Sequence, residues 1–577
     1  MKTLMLGNAA VARGLYEAGC RFVSSYPGTP STEITEQAAG YDEIYCEWAP
    51  NEKVALESAL GAAIAGARSF CAMKHVGLNV AADPLFTSAY TGVNAALVVA
   101  VADDPGMHSS QNEQDSRHYA MAAKLPMLEP SDSEECRDFA VLANELSERF
   151  DTPVLLRTAT RVAHSQSLLE THERRDVPLK PYEKNPAKYV MSPGNAIPRH
   201  ADVEKRLAEL AAYSETAEIN RAELRSREIG FVASGVCYQY VREAFPEASV
   251  FKIGMSYPLP IQAIARFAAQ VDKLIVVEEL DPVFETALRA AGIRVSGGKN
   301  LFGLLGELSQ SKILQAMGAS APAGKVFGEA LPQRPPVMCA GCPHRGLFAV
   351  LSRMKLTVLG DIGCYTLGAA KPLAALDTTV CMGASISALH GFTTVRPEEA
   401  GKTVAVIGDS TFMHSGITGV VNVAYNKGIS TILVLDNAIT GMTGHQQNPT
   451  TGLTLKNQPT PPIRIEKVLE GIGIRRVRVV DPNDMAALEQ ALREELAVAE
   501  PSVIISRRPC ALLKYVKHKP ALIVDSARCR GCKQCMRLGC PAIRFEDHKA
   551  IIDSTQCVGC GLCAQTCGFG AIGEGKA

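Results

Sequence analysis

The chain has 577 residues, 47% of them hydrophobic and 21% charged, and 59 Lys+Arg against 60 Asp+Glu leave a net charge of −1. That length suits several domains of roughly 100–200 residues each, and the near-neutral balance argues against nucleic acid as a main partner. No apolar run reaches the roughly eighteen residues of a membrane span, the start is too short for a signal peptide, and 18 cysteines point to a reducing cytoplasm, as in an anaerobe.

Residues 1–170 alternate helix-like and strand-like segments and read as an α/β block. A strand runs into Tyr26-Pro27-Gly28-Thr29-Pro30, a loop at a helix start. Residues 54–67 form an Ala-rich helix suited to close packing, and residues 95–102 read as a buried parallel strand. Residues 171–225 are charged and carry Pro178, Pro181, Pro186, Pro193 and Pro198, which predicts a linker between domains. Residues 226–320 form a second α/β block, with strands at 229–233 and 273–278.

The third block, 335–515, holds a strand ending in Gly408-Asp409-Ser410, a helix-like segment, a second strand at 429–435, and then Asp436-Asn437. Adjacent parallel strands bring their carboxyl ends together, and open α/β sheets bind ligands there. A diphosphate is held through a divalent cation, and Mg2+ takes a few protein oxygens with phosphate completing its shell. Asp409, the Asn437 side-chain carbonyl and the Ile439 backbone carbonyl suit that role, and Gly408 suits close approach of backbone to phosphate. The same pattern would also fit two buried strands capped by polar turns.

The tail, 520–577, contains Cys529-x2-Cys532-x2-Cys535-x4-Cys540 and Cys557-x2-Cys560-x2-Cys563-x3-Cys567. In two-cluster ferredoxins three thiolates of a 4Fe–4S cube come from one run and the fourth from the end of the other. Cys529, Cys532, Cys535 and Cys567 therefore form one set, and Cys540, Cys557, Cys560 and Cys563 the other. A zinc reading is weaker, because a third Cys at the next step crowds a tetrahedral ion. The four-residue gap before Cys540, and Gly568 where Pro is usual, mark local changes in the loops. From Asp525 the tail has seven Lys/Arg against five Asp/Glu, a face suited to an acidic electron carrier.

The third block resembles the thiamine-diphosphate enzymes, with Ser410 and Asp436 as variants of their Gly-Asp-Gly and Asn-Asn signature. The whole chain resembles the large (alpha) subunit of the indolepyruvate:ferredoxin oxidoreductase family, within the 2-oxoacid:ferredoxin oxidoreductases. Tyr26-Pro27-Gly28-Thr29-Pro30-Ser31, Lys74-His75-Val76-Gly77-Leu78-Asn79, Asp103-Asp104-Pro105-Gly106 and Thr443-Gly444-His445-Gln446 carry that likeness. The resemblance implies pyrimidine-binding (1–170) and diphosphate-binding (335–515) folds, a transketolase C-terminal-like α/β domain (226–320) and an α+β two-cluster ferredoxin domain. It implies Glu52 as the cofactor-activating carboxylate, Thr29 beside the substrate carboxylate and Met382 as the apolar prop of thiamine. Cys339, Cys342, Cys364 and Cys510 are implied as holders of a third cluster. The implied reaction converts aryl pyruvates and coenzyme A to aryl-acetyl-CoA and CO2 and reduces ferredoxin, together with a smaller beta subunit. A non-oxidative thiamine-dependent decarboxylase, and an electron-transfer subunit with inert thiamine-like domains, are the alternatives.

Overall fold

Ser69–Lys74 and Leu97–Asp103 are buried along their whole length, as parallel strands covered on both faces must be. They centre a sheet in which Tyr45–Trp48, Phe22–Ser25, Ser69–Lys74, Leu97–Asp103, Val154–Ala159 and Met127–Leu128 lie side by side, all parallel. This computed structural model describes every residue except 1, 323, 325–327, 329, 333, 334, 576 and 577. The chain divides into two compact units, Met1–Val326 and Phe327–Ala577.

In the first unit, the Ala-rich helix spans Glu52–Ile64 and buries Ala55, Ala59 and Ala63. Its start is fixed by Asn51, whose side chain accepts from Val54 N at 2.9 Å. The second α/β block builds its own sheet in the order Lys273–Val277, Ser226–Ser234, Ala248–Ile253, Arg221–Glu223. It also lends the strand Met255–Tyr257 to the first sheet, antiparallel to Met127–Leu128. Blocks 1–170 and 226–320 thus share a sheet, which their separate sequence patterns do not reveal.

The segment read as a linker has structure of its own. Its first part lies along the first block, with Arg175 N donating to Glu17 O and Lys180 N to Gly66 O, both at 3.0 Å. Pro193–Ser214 is then a 22-residue helix that buries Val203 and Leu210. Pro193 occupies its first turn, where an amide would have no partner, and Pro198 is tolerated inside the helix. Proline content alone concealed the apolar stripe.

A buried charge network joins the two blocks of this unit. Arg117 Nη1 donates to Glu278 Oε2 at 2.6 Å, its Nη2 to Asp115 Oδ2 at 2.6 Å and to Glu279 O at 3.0 Å. Arg157 bonds Asp103 at 2.7 Å and Glu129 at 2.5 Å. Burial opposes charge on Asp115, yet Arg117 and Arg157 hold its carboxyl below the usual range.

The second unit contains a five-stranded parallel sheet in the order Thr357–Leu359, Thr403–Gly408, Thr431–Asp436, Ser502–Arg507, Arg476–Val480. The tail adds two antiparallel pairs, Leu522–Val524 with Ile572–Glu574 and Ile543–Glu546 with Lys549–Ile552. Leu347, Phe348 and Leu351 of the helix His344–Met354 share one apolar core with Leu538, Leu562 and Ile572 of the tail. Among the described residues, no helix is long and apolar enough to cross a membrane.

Replacing Arg117 by Met leaves Glu278 buried without its cation and Asp115 with only Arg157, 3.9 Å away. The expected cost is about 3–5 kcal/mol, read as a lower midpoint of chemical denaturation for the first unit's signal.

Candidate functional site

In a parallel sheet every strand ends on the same edge, and in the second unit that edge collects the polar residues. The strand Thr403–Gly408 delivers Asp409, and the strand Thr431–Asp436 delivers Asn437. With its amide oriented by the surrounding donors and acceptors, Asn437 places its nitrogen 2.9 Å from Ile439 O and 3.2 Å from Asp409 Oδ1. The three groups singled out for a cation therefore converge. Burial pushes the Asp409 carboxyl up to about 7, and nearby Asp436 adds to the rise. Here a partial positive pole sits between two oxygens beside a carboxylate with too little positive charge around it. That donor set fits a hard divalent cation, toward which the amide would turn its oxygen.

Ser410 Oγ accepts from Thr440 Oγ1 at 2.9 Å, and its amide donates to Asp409 Oδ1 at 2.8 Å. At Gly408 a Cβ would stand 2.7 Å from the Tyr365 ring, so ring packing also requires glycine there. Half-buried Met382 precedes Gly383, whose φ of +87° starts the helix Ala384–Val395. Asp361 anchors this turn by accepting from Gly383 N at 2.9 Å and Ser385 N at 3.0 Å.

The four thiols distant in sequence also gather here. Cys510 N donates to the Asn437 carbonyl at 2.9 Å, and a Cβ on Gly441, near that asparagine, would meet Cys364 Sγ at 3.3 Å. Burial pushes Cys342 up to about 12, and Cys364 and Cys339 raise it further. Burial pushes Cys364 up to about 11, with Cys510 and Cys339 adding to it. Thiols this crowded resist ionisation unless metal takes the charge.

In the tail, one small cavity is lined by Cys540, Cys557, Cys560 and Cys563. A second is lined by Cys529, Cys532, Cys535 and Cys567. These are the two sets sorted by spacing. A Cβ on Gly341, between Cys339 and Cys342, would collide with Val558 at 2.2 Å. The CxxC loop therefore lies directly against the first cage.

In the first unit, the junction between Ser69–Lys74 and the helix His75–Val80 brings Glu52 and the Thr29 loop together. Glu52 is 6% exposed, in the first turn of its helix, where backbone amides favour a carboxylate. A Cβ on Gly77 would come 2.6 Å from Glu52 Oε1, and one on Gly28 would come 3.1 Å from Lys74 Cβ. Thr29 is half-buried in the loop between Phe22–Ser25 and the helix Thr32–Ala38. Burial pushes the Lys74 ammonium down to about 8 against the pull of Asp104. Its Nζ donates to Ser109 O at 2.7 Å, while Asp104 is occupied by Ser109 N, Ser110 Oγ and Thr160 Oγ1.

Lys74 and Asp361 are the residues sequence reasoning passed over. Lys74 stands in the motif Lys74-His75-Val76-Gly77 but had no role there. The signal was a lysine closing an otherwise apolar strand, where a charge is rarely buried without purpose. Asp361 caps a helix that begins 23 positions later, so no local pattern exposes it.

Three family models match the chain. Pyruvate flavodoxin/ferredoxin oxidoreductase, thiamine diP-binding, covers 13–229. Thiamine pyrophosphate enzyme, C-terminal TPP binding domain, covers 361–506, and the 4Fe-4S dicluster domain covers 521–568. Together with the parallel sheets these define a thiamine-diphosphate-dependent 2-oxoacid:ferredoxin oxidoreductase. Indolepyruvate oxidoreductase subunit IorA of Archaeoglobus fulgidus is 38% identical over 100% of this chain and 98% of its own length. The subunit of the same name from Methanothermobacter marburgensis is 39% identical with the same coverage. A solved structure, 2-oxoglutarate:ferredoxin oxidoreductase from Magnetococcus marinus with 2-oxoglutarate, coenzyme A and succinyl-CoA bound, is similar at TM-score 0.47 and 18% identity over 55% of this chain and 65% of that one. The chain belongs to the indolepyruvate oxidoreductase IorA family.

Iron and sulfide analysis checks the cages. Cys563→Ser is expected to lower iron by about four atoms per chain, whereas Cys381→Ser, outside both cages, leaves it unchanged.

Proposed function

We propose that this chain, with a smaller beta subunit, oxidatively decarboxylates aryl pyruvates such as indolepyruvate. Coenzyme A takes the acyl group as aryl-acetyl-CoA, CO2 leaves, and ferredoxin receives the electrons. The observation that carries this reading is the Cys510 amide bonded to the Asn437 carbonyl. A thiol group and a diphosphate-type cation site share one backbone contact, so electrons released at the cofactor have iron close by. Family membership and the relatives' shared name supply the substrate class.

Thiamine diphosphate, when bound, supplies the carbanion chemistry. Asp409, Asn437 and Ile439 O would hold Mg2+ for its diphosphate, with Gly408 and Ser410 shaping that turn. Met382 would support the ring from the turn that Asp361 fixes. Cys339, Cys342, Cys364 and Cys510 would hold a third 4Fe–4S cluster between this site and the two cages.

In the first unit, Glu52 would hold the proton at the pyrimidine ring. Its helix start fixes the carboxylate, and Gly77 lets the neighbouring backbone close over it. Thr29 and Lys74 would receive the substrate carboxylate. Lys74 makes no ion pair among the described residues, so an anion there would restore charge balance at a buried ammonium.

The test is anaerobic reconstitution with the smaller subunit, measuring dye or ferredoxin reduction with indolepyruvate, phenylpyruvate and aliphatic 2-oxo acids. CO2 release without reduction would favour the non-oxidative decarboxylase. Turnover indifferent to thiamine diphosphate would favour the inert-domain reading. Glu52→Gln is expected to lower turnover by about 10²–10⁴-fold with cofactor retained, checked by single-turnover kinetics and cofactor assay. Lys74→Gln keeps a donor for Ser109 O but removes the charge. It is expected to raise KM for the 2-oxo acid roughly 10- to 100-fold, checked by steady-state kinetics against unchanged cofactor binding.

A further inference from the structure

Arg345 is 2% exposed and makes no ion pair with a carboxylate among the described residues. It stands in the first turn of the helix His344–Met354. Its Nη1 donates to Leu538 O at 2.5 Å, and its Nη2 donates to Met338 O at 2.6 Å and Cys339 O at 3.0 Å. Its Nε is buried without a partner. A guanidinium keeps its charge in any such setting, and carbonyl dipoles alone do not neutralise a buried cation.

Arg345 also stands beside the residue before Cys540, since a Cβ on Gly539 would lie 3.6 Å from its Nη1. It also lines the cavity ringed by Cys540, Cys557, Cys560 and Cys563. The side chain thus stands between the CxxC loop and the first cage, bonded to the backbone of both Cys339 and the helix that leads to Cys540. The other cage is lined by Arg530 and Lys533. Both are exposed, so water and salt screen them.

We propose that Arg345 is the counter-charge of the iron centre at Cys540, Cys557, Cys560 and Cys563, and that it raises this centre's reduction potential above what its thiolates alone would set. The proposal rests on the reading that the cages hold 4Fe–4S clusters. Each electron arriving from 2-oxo acid oxidation adds one negative charge to a centre already made negative by four thiolates. A fixed cation in a low-dielectric surrounding offsets that charge, so the reduced form is favoured. Arg345 thereby makes this centre the first acceptor within the tail and eases passage from the side of Cys339 and Cys342.

The experiment is a redox titration of the holoenzyme with its partner subunit, followed by electron paramagnetic resonance. The signal lost in Cys563→Ser identifies the centre. Arg345→Gln is expected to shift the midpoint of that signal to lower potential, with the Cys529, Cys532, Cys535 and Cys567 centre unmoved and iron content intact. Both midpoints unchanged, or both lowered equally, would overturn the proposal. If the Gln variant loses iron, Ala340→Glu sets a carboxylate on the same cavity wall and is expected to lower the same midpoint. An unchanged midpoint with full iron in that variant overturns the proposal as well. A wild-type protein without iron in this cage would instead refute the reading on which the proposal rests.

Discussion

A parallel strand covered on both faces is mostly apolar along its length, so polar residues concentrate at its ends unless, like Arg157, they are paired within the core. Because all strands in such a sheet run one way, those ends collect on a single edge. The rest of this structure depends on that constraint. In the first unit it gathers the Thr29 loop, Glu52 and Lys74. In the second it gathers Asp361, Asp409, Asn437 and Cys510. Helices then begin at that edge, with amides available to Glu52 and, from the turn at Gly383, to Asp361.

At the sites described, three charges are buried without an opposite charge beside them. Asp409 has Asp436 for a neighbour, Lys74 has a carbonyl, and Arg345 has three carbonyls. By contrast, the Arg117 and Arg157 network is internally paired and joins two blocks of the first unit. Burial and pairing together separate structural ions from those kept for ligands. A buried ion left unpaired has a desolvation cost of several kcal/mol.

The tail does not hang as an appendage on the second unit. Leu538, Leu562 and Ile572 share a core with the helix His344–Met354, and that helix also carries Arg345. Packing that fixes the cages therefore fixes the cation beside them and the CxxC loop at Cys339 and Cys342. Electron transfer depends on such fixed distances. Rigidity here comes from a common apolar core and not from the short antiparallel pairs of the tail.

The sequence by itself determined whatever is local. Phe22–Ser25 was legible from the loop that follows it and the strand through 95–102 from its apolar run, and the cysteine spacing sorted eight thiols into the two sets that line the two cavities. Gly-Asp-Ser and Asp-Asn pointed to two neighbouring strand ends. The tertiary structure alone decided what depends on distant residues. The helix Pro193–Ser214 was hidden by prolines whose cost depends on their position in the turn. Met255–Tyr257 crosses to another block's sheet, and Gly408 answers to the ring of Tyr365. Asp361, Lys74 and Arg345 acquire meaning only from what surrounds them. A side chain's type is written in the chain, but its desolvation and its partners exist only once remote segments have packed around it.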